Sequence, residues 1–155
     1  MGRRIACLFS TLLLCTVFLT GCEERQIYPL SEVREEDLAY IVVDFPDEKW
    51  DCPLYLAEDE AKETVEVLQG LRMTTQVKRA SISSRCCIVL QYTDGQSTEI
   101  KGDAESFKIG SSYYLWPWAS WQKFDNLSQK LYGSYIKAVE EKYGFEEDSL
   151  AEVGQ

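Results

Sequence analysis

The sequence predicts a small α+β domain, a two-layer sandwich whose antiparallel sheet of about four strands carries two helices on one face, in the order β-α-β-β-β-α. Three observations lead there. Apolar residues recur at three- and four-residue spacing in two stretches, one mid-chain and a longer one near the end. Before and between them lie short runs rich in β-branched and aromatic residues. An Asp-Gly pair separates two of these runs, and that dipeptide tolerates the positive φ of a tight hairpin.

The elements follow in chain order. Tyr40-Ile41-Val42-Val43-Asp44-Phe45 reads as a strand closed by Pro46, with Ile41, Val43 and Phe45 on the core face. Acids, Trp50 and Pro53 make 47–53 a loop. Over 58–72 the spacing of Ala61, Val65, Leu68 and Leu71 predicts a helix, and Glu58, Asp59 and Glu60 suit the positive end of its dipole. Residues 73–84 are polar and carry no strong pattern. Over 85–92, Cys86, Ile88, Leu90 and Tyr92 alternate with Cys87, Val89 and Gln91. Apolar residues on both faces suggest a central strand.

Asp94-Gly95 then turns the chain into a partner strand over 97–101, with Thr98 and Ile100 inward. Gly102-Asp103 turns it again. Phe107-Lys108-Ile109 and Tyr113-Tyr114-Leu115 flank Gly110-Ser111-Ser112 as a small hairpin or one kinked strand. Trp118, Trp121, Phe124, Leu127, Leu131, Tyr135 and Val139 recur at helical spacing, with Pro117 at the start and Gly144 as a stop. Trp116 falls out of phase with that stripe, and is expected to be the exposed member of the aromatic group and a contact for a partner.

The chain begins with features of export. Arg3 and Arg4 precede an apolar run over 5–19, shorter than the ~20 residues of a spanning helix and suited to the core of a signal peptide. Leu19-Thr20-Gly21-Cys22 closes it, and this tetrapeptide resembles the lipobox of bacterial lipoproteins. The resemblance implies a diacylglyceryl group on the Cys22 sulfur and cleavage between Gly21 and Cys22. It makes 1–21 a signal peptide, 22–37 an acylated N-terminus and spacer, 38–145 the single α+β domain and 146–155 an acidic tail. With the Tyr92-Thr93-Asp94-Gly95 turn, the order of elements is similar to that of short uncharacterised lipoproteins of Gram-positive bacteria, a likeness that implies no activity.

Loss of the leader removes Arg3 and Arg4 and no acid, moving the formal charge from -10 to about -12. So acidic an average argues against nucleic acid and against binding to anionic headgroups, leaving the lipid as a simple tether to the extracytoplasmic face of the membrane. Cys7 and Cys15 leave with the leader and Cys22 is acylated, so Cys52, Cys86 and Cys87 remain. Outside the cytoplasm a disulfide is permitted, and Cys52 with Cys86 or Cys87 is the pairing to expect.

The chain has no histidine, which removes Ser-His-Asp and Cys-His catalysis and the commonest zinc sites. It carries no phosphate-binding glycine loop, and its three thiols lack CxxC spacing, so no metal or cofactor is expected. No catalytic residue can be nominated among the acids. The expectation is a membrane-anchored extracytoplasmic lipoprotein that binds another envelope protein. Three other readings are a small-molecule or glycan module, a hydrolase using two carboxylates, and a free thiol in envelope redox chemistry.

Overall fold

A computed structural model describes residues 26–144. The leader, the Leu19-Thr20-Gly21-Cys22 motif and the tail over 146–155 lie outside the described residues. The fold is α+β, with seven strands and two helices: β1 (Leu38–Asp44), β2 (Leu54–Tyr55), α1 (Glu58–Gln69), β3 (Thr75–Val77), β4 (Cys87–Tyr92), β5 (Ser97–Gly102), β6 (Ser106–Ile109), β7 (Ser112–Leu115) and α2 (Trp118–Tyr143). One 3-10 turn, Glu35–Asp37, precedes β1. All strand pairs are antiparallel, in the order β2-β1-β4-β5-β6-β7-β3.

Seven strands replace the four or so expected, and the element order β-β-α-β-β-β-β-β-α replaces β-α-β-β-β-α. Two additions, β2 and β3, are edge strands of two and three residues. Strands that short have no room for an alternating pattern, and short edge strands are a common way to end a sheet. The other change is the resolution of 106–115 into a true hairpin, Phe107 opposite Tyr114.

The register explains the core. Pairings Val43–Ile88 and Ile88–Ile100 stack inward residues across β1, β4 and β5, while Val42–Val89 and Val89–Glu99 line the other face. Ile41, Val43 and Phe45 are buried together, as their alternation predicts. The inward residues share one cluster with Val65 and Leu68 of α1 and with Phe124, Leu127, Leu131, Tyr135 and Val139 of α2. The helices are also tied to each other: Ser134 donates to Glu60 at 2.5 Å, and Lys130 pairs with Glu63.

The segment expected to be a spacer is part of this core. Leu30 and Val33 are buried in it, and Ile27 forms an antiparallel bridge with Met73, itself fully buried. Val33 further accepts a hydrogen bond from Gln69 Nε2 through its carbonyl. Ile27, Leu30 and Val33 stand in a charged stretch without a period, so only tertiary packing shows their role.

Gly102, at the end of β5, is buried beneath aromatic rings. A Cβ there would lie 2.5 Å from Trp116 Cη2 and 2.7 Å from Phe107 Cδ2, closer than side chains approach. Gly133, in the exposed middle of α2, has open space around it. Gly102→Ala is therefore expected to lower stability by about 1–3 kcal/mol through overpacking, whereas Gly133→Ala raises it by about 0.5–1 kcal/mol. Paired thermal unfolding curves check both signs.

Thr64 of α1 is fully buried, and its Oγ1 has no hydrogen-bond partner. Leaving such a hydroxyl unsatisfied costs about 1–3 kcal/mol. Thr64→Val keeps the shape and removes the polar atom, so a higher denaturation midpoint with unchanged slope is expected in urea titration.

Candidate functional site

A groove of about 810 Å³ opens between the first half of α2 and the loops at one end of the sheet. Antiparallel pairing brings these loops together. Asp44 lies opposite Cys87, Cys87 opposite Lys101, and Gly102 opposite Phe107, so the exits of β1 and β5 and the entries of β4 and β6 share one end. Asp47 and Glu48 come from the first exit, Ser83–Cys86 from the approach to β4, and Gly102–Ala104 from the β5–β6 turn.

Helix α2 forms the facing wall. Trp121, Phe124, Asp125, Ser128, Gln129 and Tyr132 line the groove from it, a spacing of three to four residues that keeps them on one side. Phe45, Phe124, Trp121 and Tyr132 make the apolar part. Asp47, Glu48, Asp103 and Asp125 make the charged part, against Arg85 as the one cation among the lining residues.

Several of these groups are held in place. Asp103 Oδ1 accepts from Glu105 N at 3.0 Å, Ser106 N at 2.9 Å and Ser106 Oγ at 3.3 Å, closing the β5–β6 turn. Its Oδ2 accepts from Ser83 N at 3.1 Å, so one carboxylate ties two loops. Ser84 Oγ donates to the Cys86 carbonyl at 2.6 Å and accepts from Gly102 N at 3.2 Å. At the far end Tyr132 donates to Glu48 at 2.9 Å, and burial with that carboxylate pushes the phenol pKa up. No lining carboxylate is buried. The hydrolase reading calls for a buried acid facing a cleft, whereas the lining acids are half-buried or exposed.

The tryptophans exchange their expected places. Trp116 is 6% exposed and Trp118 is 63% exposed. Strand alternation from Tyr114 through Leu115 turns Trp116 inward, where it stacks 4.3 Å from Phe107 and donates from Nε1 to the Asp103 carbonyl at 2.9 Å. It is thus a core residue, and offers a partner no surface. On α2 the buried face runs Ser120, Phe124, Leu127, Leu131, Tyr135 and Val139. At about 100° per residue, Trp118 lies about 120° round from Phe124 and Ser120 about 40° from it. The small residue, not the large one, faces the core.

Cys52, Cys86 and Cys87 are all buried and carry free thiols in this structure, with no bond from Cys52 to either of the other two. Cys86 joins the core cluster while Cys87 lies on the opposite face, covered by its neighbours. Burial pushes the Cys86 thiol up to about 12, with a hydrogen bond to Ser128 opposing it. Burial likewise raises Cys87 to about 11, with Lys101 opposing. Neither is a thiolate at neutral pH, the form redox chemistry requires.

The open face of the sheet carries an ion cluster in which Glu99 pairs with Lys108 at 2.8 Å and Lys101 at 3.3 Å. The hydrogen bond from Lys108 holds Glu99 below the usual carboxylate range. These groups are about a third exposed, so solvent keeps each pair within about 1 kcal/mol. Exposed Tyr40 and Tyr55, rings 5.6 Å apart, sit at one margin of this face.

Among the described residues no group of acids and thiols is placed to hold a metal ion, and no helix is long and apolar enough to cross a membrane. No family model, curated protein or solved structure matches this chain.

The thiols give a direct check. Both folded-state pKa values lie above the unfolded value of 9.0. The folded chain therefore holds its thiol protons where the unfolded chain releases them, and stability falls as pH rises from about 9 toward 11. Melting curves across that range are expected to show the fall, and Cys86→Ala with Cys87→Ala to flatten it. Iodoacetamide is expected to label Cys52, Cys86 and Cys87 only after unfolding, and all three then; a disulfide would leave one.

Proposed function

We propose that this chain is a bacterial lipoprotein, held by lipid on Cys22 to the extracytoplasmic face of a membrane, whose domain binds a basic segment of another envelope protein. The anchor rests on the leader and Leu19-Thr20-Gly21-Cys22. The binding reading rests on one observation, the groove along α2. Its volume of about 810 Å³ falls within the ~300–1,000 Å³ typical of ligand sites.

The groove chemistry favours cations. Four carboxylates and one arginine line it, together with aromatic rings. A lysine or arginine side chain gains from both, by Coulomb attraction to the carboxylates and by the negative face of a ring. Three of the four carboxylates are partly engaged: Glu48 by Tyr132, Asp125 by Gln129 Nε2 at 2.8 Å, and Asp103 by Ser83, Glu105 and Ser106. Neutral donors occupy those oxygens, so the negative charge remains for a ligand.

Removal of the anchor separates the two halves of the proposal. Cys22→Ala is expected to release the protein from the membrane fraction and leave its fold intact. In-cell crosslinking followed by mass spectrometry is expected to capture one partner from the anchored protein, and Glu48→Lys with Asp125→Lys to lose it. A partner retained in the charge-reversed variant sinks the groove as the site. Quenching of Trp121 emission by a wall glycan, with none by a lysine-rich peptide, would move the function to the glycan reading.

A further inference from the structure

The charge of this chain is unevenly placed. Between Glu66 and Asp94 there is no acid, while Arg72, Lys78, Arg79 and Arg85 fall in that interval. Between Glu105 and Asp125 there is again no acid, and Lys108 and Lys123 fall there. The fold joins these two intervals. The first contains β3, the second contains β7, and they pair at one edge of the sheet with Thr75 opposite Leu115. The opposite edge, β2, is flanked by Asp51 before it and by Glu58, Asp59 and Glu60 after it. An acidic chain therefore presents one edge on which cations predominate.

The same edge holds the exit toward the lipid. Ile27 N donates to the Met73 carbonyl at 3.1 Å, and Met73 N to the Ile27 carbonyl at 2.7 Å. On the far side of that segment, Arg72 N donates to Ser120 Oγ at 3.0 Å, and Thr74 N to the Leu115 carbonyl at 2.9 Å. The exposed residue Leu115 thus stands beside the backbone that receives Ile27, and Trp118 follows three residues on, across Pro117, at the start of α2. Among the described residues Trp118 is the most exposed large hydrophobic one, at 63%. Lys123 Nζ is 4.0 Å from a Cβ placed on Gly70, at the end of α1, so a second cation reaches this corner. A hollow of about 320 Å³ farther along the edge is lined by Lys78, Ser111 and Ser112, donors suited to a phosphate.

We infer that this edge is a membrane-contact face: Trp118 and Leu115 enter the interface of an anionic phospholipid bilayer, and Arg72, Lys78, Arg79 and Lys123 meet its headgroups. This rests on the lipid anchor at Cys22. From Cys22 to Ile27 the chain reaches at most about 17 Å, close to the ~13 Å radius of gyration of a domain this size. So short a tether keeps the Ile27 side against the surface. There an indole has an apolar body and an N–H for the wet boundary, and each cation adds on the order of fivefold in affinity. The acidic β2 edge is repelled by the same field, which fixes the domain's orientation rather than lifting it away.

The test begins with the mass of the protein isolated from its host, which reports acylation at Cys22. The acylated protein is then placed on phosphatidylcholine vesicles with and without phosphatidylglycerol, some lipids brominated. The expected result is quenching of the emission lost in Trp118→Phe, on phosphatidylglycerol vesicles only. In the Arg72→Glu, Lys78→Glu, Arg79→Glu variant that quenching is expected to vanish while the lipid still holds the chain. Trp118 as open to aqueous iodide on phosphatidylglycerol vesicles as on phosphatidylcholine overturns the contact face. An unacylated mass overturns the anchor instead. The chain is then floated with the same vesicles, where phosphatidylglycerol-dependent binding, about a hundredfold weaker in the charge-reversed variant, supports the face and no flotation overturns it.

Discussion

The missing side chain at Gly102 is the constraint on which the working end of this molecule depends. Trp116 and Phe107 occupy the space a Cβ would take. With its ring there, Trp116 reaches the Asp103 carbonyl, Phe124 packs edge-on to Phe107, and Trp121 lies 5.8 Å from Trp116. One small residue thus makes room for Trp116, which lies between β7 and α2 in the chain. Gly102 and two residues of α2 near that ring, Trp121 and Phe124, also line the groove. Asp103, next in sequence, fastens two of those loops by accepting four hydrogen bonds. Backbone geometry, packing and the candidate site meet within two residues.

Periodic signals were legible in the sequence and solitary ones were not. The alternation of Ile41, Val43 and Phe45, the Asp94-Gly95 turn with Gly95 at φ 87°, and the Gly144 stop in left-handed geometry all follow from local rules. Leu30, Val33 and Met73 are buried in the same core as the strand residues, yet each stands alone among polar neighbours. Their burial is decided by what folds against them, and no window of sequence contains that partner. The tryptophans show a sharper failure. Trp116, Trp118 and Trp121 sit where a strand's period of two gives way to a helix's 3.6. Read in helical phase, Trp118 belongs inside; read from β7, Trp116 does. The strand's phase persists one residue past Leu115, through Trp116, and the helix takes its own from Ser120.

The candidate site was legible only as ingredients. Acids abound in this composition, and nothing in their spacing nominates Asp47, Glu48, Asp103 and Asp125. Asp47, Glu48 and Asp103 converge because strand ends meet at one end of an antiparallel sheet, a property of register, and Asp125 joins them from α2. Cys86 and Cys87 offer the reverse lesson. Adjacent thiols invite a redox or disulfide reading, but alternation sends them to opposite faces and burial holds both well above the range where sulfur is nucleophilic. Ser128, facing Cys86 from α2, makes that thiol a packing and hydrogen-bonding element of the groove wall.

Net charge misleads for a related reason. A formal value of -10 describes the chain seen from many Debye lengths away, where the sum alone matters. On the tether we propose, a surface within about 17 Å would meet individual edges instead, at separations comparable with the ~8 Å screening length. At that range the acid-free β3–β7 edge and the acid-flanked β2 edge would act separately, and the proposed tether would select which is presented. The groove runs along α2 from Trp121 to Tyr132, which donates to Glu48 beyond the exit of β1. Seated on its β3 edge as proposed, the domain would hold that acidic end away from the bilayer. A basic segment arriving from outside would then meet carboxylates whose attraction the membrane's charge does not oppose.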